Sequence, residues 1–437
     1  MRLLDLIEKK KNGQELTQEE IKFIIEGYTT GVIPDYQMSA FLMAVFFQSM
    51  SITEISYLTD AMIQSGEVYD LSPINGFKVD KHSSGGVGDK VSLIYAPLVA
   101  SFGLKVAKMS GRGLGQTGGT IDKLESFPGF KVEIPFAEFV RIVNKTNISI
   151  IAQSSNIVPA DKKIYALRDV TATVNSIPLI AASIMCKKIA TGSDGIVLDV
   201  KCGNGAFMKS ISEAKQLAEI MVGIGKHFDK KIAAEITNMN QPLGRAIGNA
   251  IEIYEVVKTL QGEGPDDLNY IVCESAALSL CQADLFPDFD SAFKACQDKL
   301  HNSSEPLTYF KNFIQEQGGD LSLISDLSSL DQMLKVKNKV EIKAKETGFV
   351  EIVDTNALGL LSVRLGAGRN TKEEAIDHHA GIYLNKKTGE FVNEGEVVMT
   401  LYTNRYVTEP VYEWAASTFK ITDKEPKAYE LVYEVIQ

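Results

Sequence analysis

The chain has 437 residues, with 45 Lys+Arg against 56 Asp+Glu and a formal net charge of −11. At about 100–200 residues per domain, this length predicts two to four domains, each able to bury a core. The acidic balance argues against nucleic-acid polymer or an anionic membrane as partner, since both need a basic footprint, but leaves open a small anionic substrate that answers to local charge.

Five cysteines (Cys186, Cys202, Cys273, Cys281, Cys296) occur with no CxxC pair. That excludes a disulfide framework or zinc cluster and fits a reducing compartment. The first residues run into Lys9, Lys10 and Lys11 with no apolar stretch behind them, and the apolar run at 40–47 is far below the ~20 residues that span a bilayer. The expectation is a soluble cytoplasmic protein without a membrane partner.

Residues 1–66 read as helices only. Thr17 with Glu20, and Ser51 with Glu54, are capping boxes ahead of apolar periodic runs, and Pro34 separates two helices. From Asn75-Gly76 the pattern alternates. Short β-rich runs at 77–80, 105–109, 148–152, 196–200 and 232–236 are separated by helical segments, notably 211–227 and 247–260. This predicts an α/β domain over 75–333 with a mostly parallel central sheet. Ligands of such sheets bind beyond the carboxyl ends of the strands. A Lys-rich stretch at 334–345 reads as a linker or an edge strand. Residues 345–437 read as a β-rich α+β domain.

Two loops stand out. The first, at 81–92, carries Lys81, His82, Ser83, Gly85, Gly86, Gly88 and Ser92 between a strand and a helix. Glycines let backbone amides approach an anion, and a helix start adds positive potential. The spacing is neither a Walker motif nor a dinucleotide fingerprint. Taken alone, it also reads as a tight turn with incidental polar residues. The second, at 108–120, carries five glycines after the next strand, too many for turn geometry alone. Side by side, the loops offer one phosphate Lys81, Ser83, Ser92, Lys108, Ser110 and Thr120. His82, set among these groups, is placed to hold or deliver a proton.

Residues 160–189 read as two helices broken near Asn175 and Pro178. Ser183 and Lys187 share a face at i and i+4, near Ile180 and Ile184, and Arg168 lies on the first helix. An apolar strip with a hydroxyl and two cations suits a flat heterocycle carrying carbonyl groups. Arg168 taken alone, and Lys188, read as solvated charges.

The run 110–125, with Ser110, Gly111, Arg112, Gly113, Gly118, Gly119, Thr120, Asp122 and Glu125, resembles the signature of the thymidine and pyrimidine-nucleoside phosphorylases. Runs 81–89, 165–173 and 183–188 are similar to that family's other blocks, and the likeness extends over essentially the whole chain. The resemblance implies a pentosyltransferase: inorganic phosphate cleaves a pyrimidine nucleoside to free base and α-pentose 1-phosphate, with inversion. It assigns phosphate to Lys81, Ser83, Ser92, Lys108, Met109, Ser110 and Thr120. The nucleoside goes to Arg168, Ser183, Lys187, Ile180, Ile184 and Phe207. His82, Arg168 and Lys187 are implied as catalytic. A small helical domain is also implied, completed by helices from 160–190 and forming a homodimer. The resemblance adds a potassium ion, held mostly by backbone carbonyls at Gly88, Lys90, Leu243, Ala246 and Glu255, and no organic cofactor.

Ser84 and Val91 stand where the pattern usually has Thr, Cys186 where it has Ser, and Gln116 where it has His. Lys90 replaces smaller residues and brings a charge beside the cation site. Lys108, where thymidine-restricted members tend to carry Met, points to uridine, thymidine and deoxyuridine together, because an ammonium can donate to a ribose 2′-hydroxyl. Two readings compete. An anthranilate-type phosphoribosyltransferase would need an acidic metal motif, for which Asp122 and Glu125 are candidates. A carrier module is suggested by the hammerhead-like run at 383–397, which lacks an attachment turn.

Overall fold

The computed structural model describes residues 1–113, 115, 118–154, 156–369 and 374–437. It begins with four helices: α1 (Leu3–Lys11), α2 (Gln18–Thr29), α3 (Asp35–Gln48) and α4 (Ile52–Gln64). Both expected capping boxes form. Glu20 N donates to Thr17 Oγ1 at 3.3 Å and Thr17 N to Glu20 Oε2 at 2.8 Å; Glu54 N donates to Ser51 Oγ at 3.3 Å and Ser51 N to Glu54 Oε2 at 2.9 Å. Ile21, Ile24, Ile25, Ile55, Leu58 and Met62 bury the inner faces. Glu54 also accepts both a hydrogen bond from Leu16 N and the ammonium of Lys10, the latter at 2.9 Å to each oxygen and fully out of solvent. This one carboxylate therefore starts α4 and ties α1 to it.

The central sheet holds β1 (Lys78–Ser83), β2 (Lys105–Ser110), β3 (Ile148–Ala152), β4 (Gly195–Cys202) and β5 (Lys231–Asn238). They are all parallel in the order β3-β2-β1-β4-β5. Helix α5 (Val91–Ala100) joins β1 to β2, and α6 (Thr120–Leu124) and α7 (Phe136–Thr146) lead to β3. Then α8 (Pro159–Asp169) and α9 (Ile177–Ala190) lead to β4, and α10 (Ile211–His227) to β5. Strands covered on both faces must be apolar throughout. In β4, Ile196, Leu198 and Val200 point to one side, into a core shared with α1–α4 and α7–α10, and Val197 to the other. The other face carries α5, α11 (Ala250–Leu260), α12 (Asp266–Gln282), α13 (Phe289–Asn302) and α14 (Glu305–Glu316). Helices α8 and α9 pack on α2–α4, so the helical layer draws on two separate stretches of chain.

Beyond α14 come β7 (Asn338–Lys343), β8 (Gly348–Ile352), β9 (Gly381–Leu384), β10 (Phe391–Val392), β11 (Val397–Thr403) and β12 (Phe419–Thr422), in two small antiparallel sheets. The Lys-rich stretch resolves as an edge strand: among the described residues β7 pairs with β11 alone, and it exposes Lys339, Glu341 and Lys343. Three boundaries differ from the pattern reading. Strand β1 runs on through Lys81, His82 and Ser83, since pairing with β4 continues to Asp199. The helix expected from 247 starts at Ala250, because β6 (Ala246–Gly248) pairs with β9. A last strand, β13 (Val432–Ile436), leaves the small sheets and adds antiparallel to β5. Among the described residues all five cysteines are free, and no helix is long and apolar enough to cross a membrane.

Glu54→Gln removes the counter-charge of a buried lysine while keeping a capping oxygen. Urea unfolding followed by circular dichroism is expected to show the helical layer destabilised by about 3–5 kcal/mol. A loss under about 1 kcal/mol, the range of exposed pairs, would show that Lys10 finds water instead.

Candidate active site

From β1 the chain moves outward to β2 and β3, then returns to lay β4 and β5 on β1's other side. The connections diverge between β1 and β4, the point at which sheets of this kind bind ligands beyond the carboxyl ends of their strands. Lys81, His82 and Ser83 sit at that end of β1, Lys108, Met109 and Ser110 at that of β2, and Lys201 near that of β4. Ser92 lies in the first turn of α5 and Thr120 at the start of α6. The predicted phosphate groups are thus gathered along one sheet edge.

The strands carry their own counter-charges there. Asp80 on β1 lies 3.0 Å from Lys108 and 2.7 Å from Lys188 of α9. Asp199 on β4 lies 2.5 Å from Lys81 and 2.7 Å from Lys201, and accepts from Thr237 Oγ1 at 2.6 Å. All these side chains are buried. Burial pushes the Asp80 carboxyl up, but Lys108 and Lys188 outweigh it and hold the group at about 2. The same contest, won by Lys81 and Lys201, holds Asp89 far below the usual carboxylate range. Glu235 on β5 goes the other way: burial and then Asp199 push it up to about 8, so it keeps its proton at neutral pH. Four lysines therefore share three carboxylates, and the strand ends keep a cationic excess.

His82 is half-buried. Burial, then the ammoniums of Lys188 and Lys108, push its imidazole well below the ordinary histidine value, so it is neutral near pH 7. The Ser83 hydroxyl bonds the Asp89 carboxylate and accepts from Gly85 N at 3.1 Å, folding the glycine loop back on itself. In the second loop, Arg112 clamps Asp122 at 3.1 Å and Glu125 at 2.8 Å. Gly113 N donates to Asp122 at 2.6 Å and Arg369 to the same carboxylate at 2.9 Å. Asp122 and Glu125 are thus engaged by arginines rather than displayed to a metal. Leu114, Gln116 and Thr117, with the unusual Gln116 among them, lie outside the described residues.

On α9, Lys187 donates to Ser183 Oγ at 2.9 Å and to Asp161 Oδ2 of α8 at 2.6 Å, with Ile180 and Ile184 half-buried beside them. Burial pulls the Lys187 ammonium down, but Asp161 and its neighbours more than offset this and hold it above the usual lysine value. Arg168 is no solvated charge. It is 1% exposed, and its guanidinium donates to the carbonyls of Thr173, Val174 and Leu179 at 3.2, 2.6 and 3.1 Å, bracing the turn between α8 and α9. Phe207 stands 47% exposed on the loop after β4.

The pattern reading missed Asp80, Lys188, Asp199, Lys201 and Glu235. Lys188, read as solvated, is 5% exposed. One signal was available for the others: charged residues inside otherwise apolar parallel strands need buried partners.

The residues assigned to potassium do converge, with one change. Lys90 contributes its side chain rather than its carbonyl. Its ammonium donates to Leu243 O at 3.0 Å, Ala246 O at 2.9 Å and the Glu255 carboxylate. A second cation has no place among oxygens already holding an ammonium, so the donor set as it stands does not fit a potassium ion.

Three family models match in chain order. Residues 4–66 match the glycosyl transferase family helical bundle domain, 75–304 the glycosyl transferase family a/b domain, and 349–422 the pyrimidine nucleoside phosphorylase C-terminal domain. Fold and site thus define a glycosyl transferase of the a/b type. The chain is 52% identical over 436 residues to a pyrimidine-nucleoside phosphorylase of Geobacillus stearothermophilus, and 50% identical over 436 residues to one of Bacillus subtilis. Each alignment covers 100% of both chains. In fold alone it is similar to the anthranilate phosphoribosyltransferase of Thermus thermophilus, with TM-score 0.56, 17% identity, and coverage of 71% of this chain and 98% of that one. The chain belongs to the pyrimidine-nucleoside phosphorylase family.

Burial lowers Lys108 to about 8, against the pull of Asp80. Its charge is present below that pH and lost above it. Inorganic phosphate, titrated calorimetrically, is expected to bind more weakly as pH rises through about 8, by roughly tenfold per unit at most. Lys108→Met is expected to flatten that limb; an unchanged limb in the variant would remove Lys108 from the phosphate site.

Proposed function

We propose that the protein catalyses the reversible phosphorolysis of pyrimidine nucleosides. Phosphate oxygen forms a bond to the anomeric carbon as the glycosidic C–N bond breaks, giving α-pentose 1-phosphate with inversion and the free base. The proton that hydrogen phosphate gives up on becoming an ester balances the one the departing base takes. The observation that carries this reading is the cationic excess beside a glycine loop, with four buried lysines at three strand ends and α9. A preorganised excess of this kind stabilises an attacking dianion without reorganisation during the reaction.

The transition state resembles an oxocarbenium ion and leaves negative charge on the base. Lys187, held charged by Asp161, and Ser183 offer donors to that base from one helix face. Arg168 has three of its five N–H groups on carbonyls, so its share is to fix the turn and to use what remains. His82, neutral in the free protein, donates an N–H to the base 2-oxo group as charge collects there. A bound dianion next to it opposes the lysines that depress its pKa, which makes proton transfer easier in the complex than in the free protein. No covalent intermediate is needed.

Substrate range is read from Lys108. Its ammonium donates to Asp80 and to Lys81 O, and its one remaining N–H is shared between the phosphate and a ribose 2′-hydroxyl beside it, which supports acceptance of uridine, thymidine and deoxyuridine. A homodimer through the helical layer is supported by the exposed apolar residues Val32, Tyr36 and Phe47 there. Five free cysteines fit a cytoplasmic enzyme. The phosphoribosyltransferase reading loses its metal motif to Arg112 and Arg369.

Incubation with uridine or thymidine, with and without inorganic phosphate, is expected to release base only when phosphate is present; release without it would mark a hydrolase. His82→Ala is expected to lower kcat by roughly 10²–10⁴, and Lys187→Ala to raise the nucleoside KM more than it lowers kcat. Lys108→Met is expected to reduce the kcat/KM of uridine relative to thymidine. Wild-type kinetics in both His82→Ala and Lys187→Ala would dissolve the assigned site.

A further inference from the structure

Lys90 caps α5 directly after the first glycine loop, and its side chain is fully buried. An ammonium has three N–H donors. Here they meet three oxygens: the carbonyls of Leu243 and Ala246, at 3.0 and 2.9 Å, and the Glu255 carboxylate. None is left over. The same carboxylate accepts from Arg245 N at 2.8 Å and Ala246 N at 3.1 Å. Gly88 and Gly244 adopt left-handed backbone there, at φ +72° and +67°; a Cβ on Gly88 would stand 2.7 Å from Leu243 O, and one on Gly244 3.0 Å from the Lys90 ammonium. Two carbonyls and a carboxylate around a buried position, walled by glycines, are the donors a desolvated monovalent cation takes.

We propose that Lys90 is a tethered cation: its ammonium permanently does the work of a bound monovalent ion, and the protein needs no potassium. The work is mechanical. The charge neutralises Glu255 and joins the 243–246 segment, which leads into β6 and the small sheets, to the first turn of α5 under the glycine loop. A dissociable ion would let that junction loosen at low salt, whereas a covalently held one does not.

The test compares the wild-type protein and Lys90→Ala in potassium chloride and in choline chloride at equal ionic strength. The first readout is the thermal unfolding midpoint, the second uridine phosphorolysis. Only the second rests on the proposed function, so the two ideas fail separately. The wild type is expected to give the same midpoint and rate in both salts. Lys90→Ala opens a site; its midpoint is expected to be low in choline and to rise by roughly 2–4 °C or more, saturably, with potassium. Lys90→Met, which fills the space without charge, is expected to stay low in both salts. A potassium-specific gain in the wild-type midpoint would overturn the proposal. So would a Lys90→Ala midpoint that potassium raises no more than choline does.

Discussion

Burying lysines at the ends of parallel strands is the constraint on which the site rests. A buried ammonium is tolerated only with a partner, and the partners here are written into the same strands: Asp80 serves Lys108 and Lys188, and Asp199 serves Lys81 and Lys201. The matching is deliberately incomplete. Full neutralisation would leave nothing to attract an anion, and no neutralisation would expel the lysines from the core. Protonation of Glu235, forced by burial and Asp199, preserves the imbalance at neutral pH.

The same pairing crosses between layers. Lys187 and Lys188 are neighbours on α9 and point in different directions. Lys187 reaches Asp161 and Ser183 on the side assigned to the base, and Lys188 reaches Asp80 on β1. A helix packed on α4 thus carries a nucleoside donor on one residue and an anchor of the anion site on the next. The spacing between the two half-sites is set by rigid secondary structure, as a reaction between two held substrates requires.

Much of this was legible in the sequence. The capping boxes at Thr17 and Ser51 formed because hydroxyl and Glu spacing is a local matter. The strand–glycine loop–helix rhythm predicted the sheet edge at which Lys81, Lys108 and Ser110 meet. What escaped was non-local. Lys188 looks solvated until Asp80, far away in the chain, is seen to lie 2.7 Å from it. Lys90 looked like a carbonyl donor with an inconvenient charge, and only packing shows the ammonium turned inward onto Leu243 and Ala246. The three residues of β6 are too few to announce a strand; pairing with β9 alone makes them one.

The pairing of β13 with β5 bears on how the molecule is made. Val432 meets Thr237, and Ile436 meets Ala234. During synthesis β5 leaves the ribosome long before its outer neighbour exists, and its free edge offers unpaired amides and carbonyls to any passing strand. The sheet of the α/β core therefore cannot complete its last pairing until residues 432–436 have been made. Its last hydrogen bonds wait for residues that emerge after the small sheets. Until they arrive, the outer edge of β5 stays open to pairing with other strands.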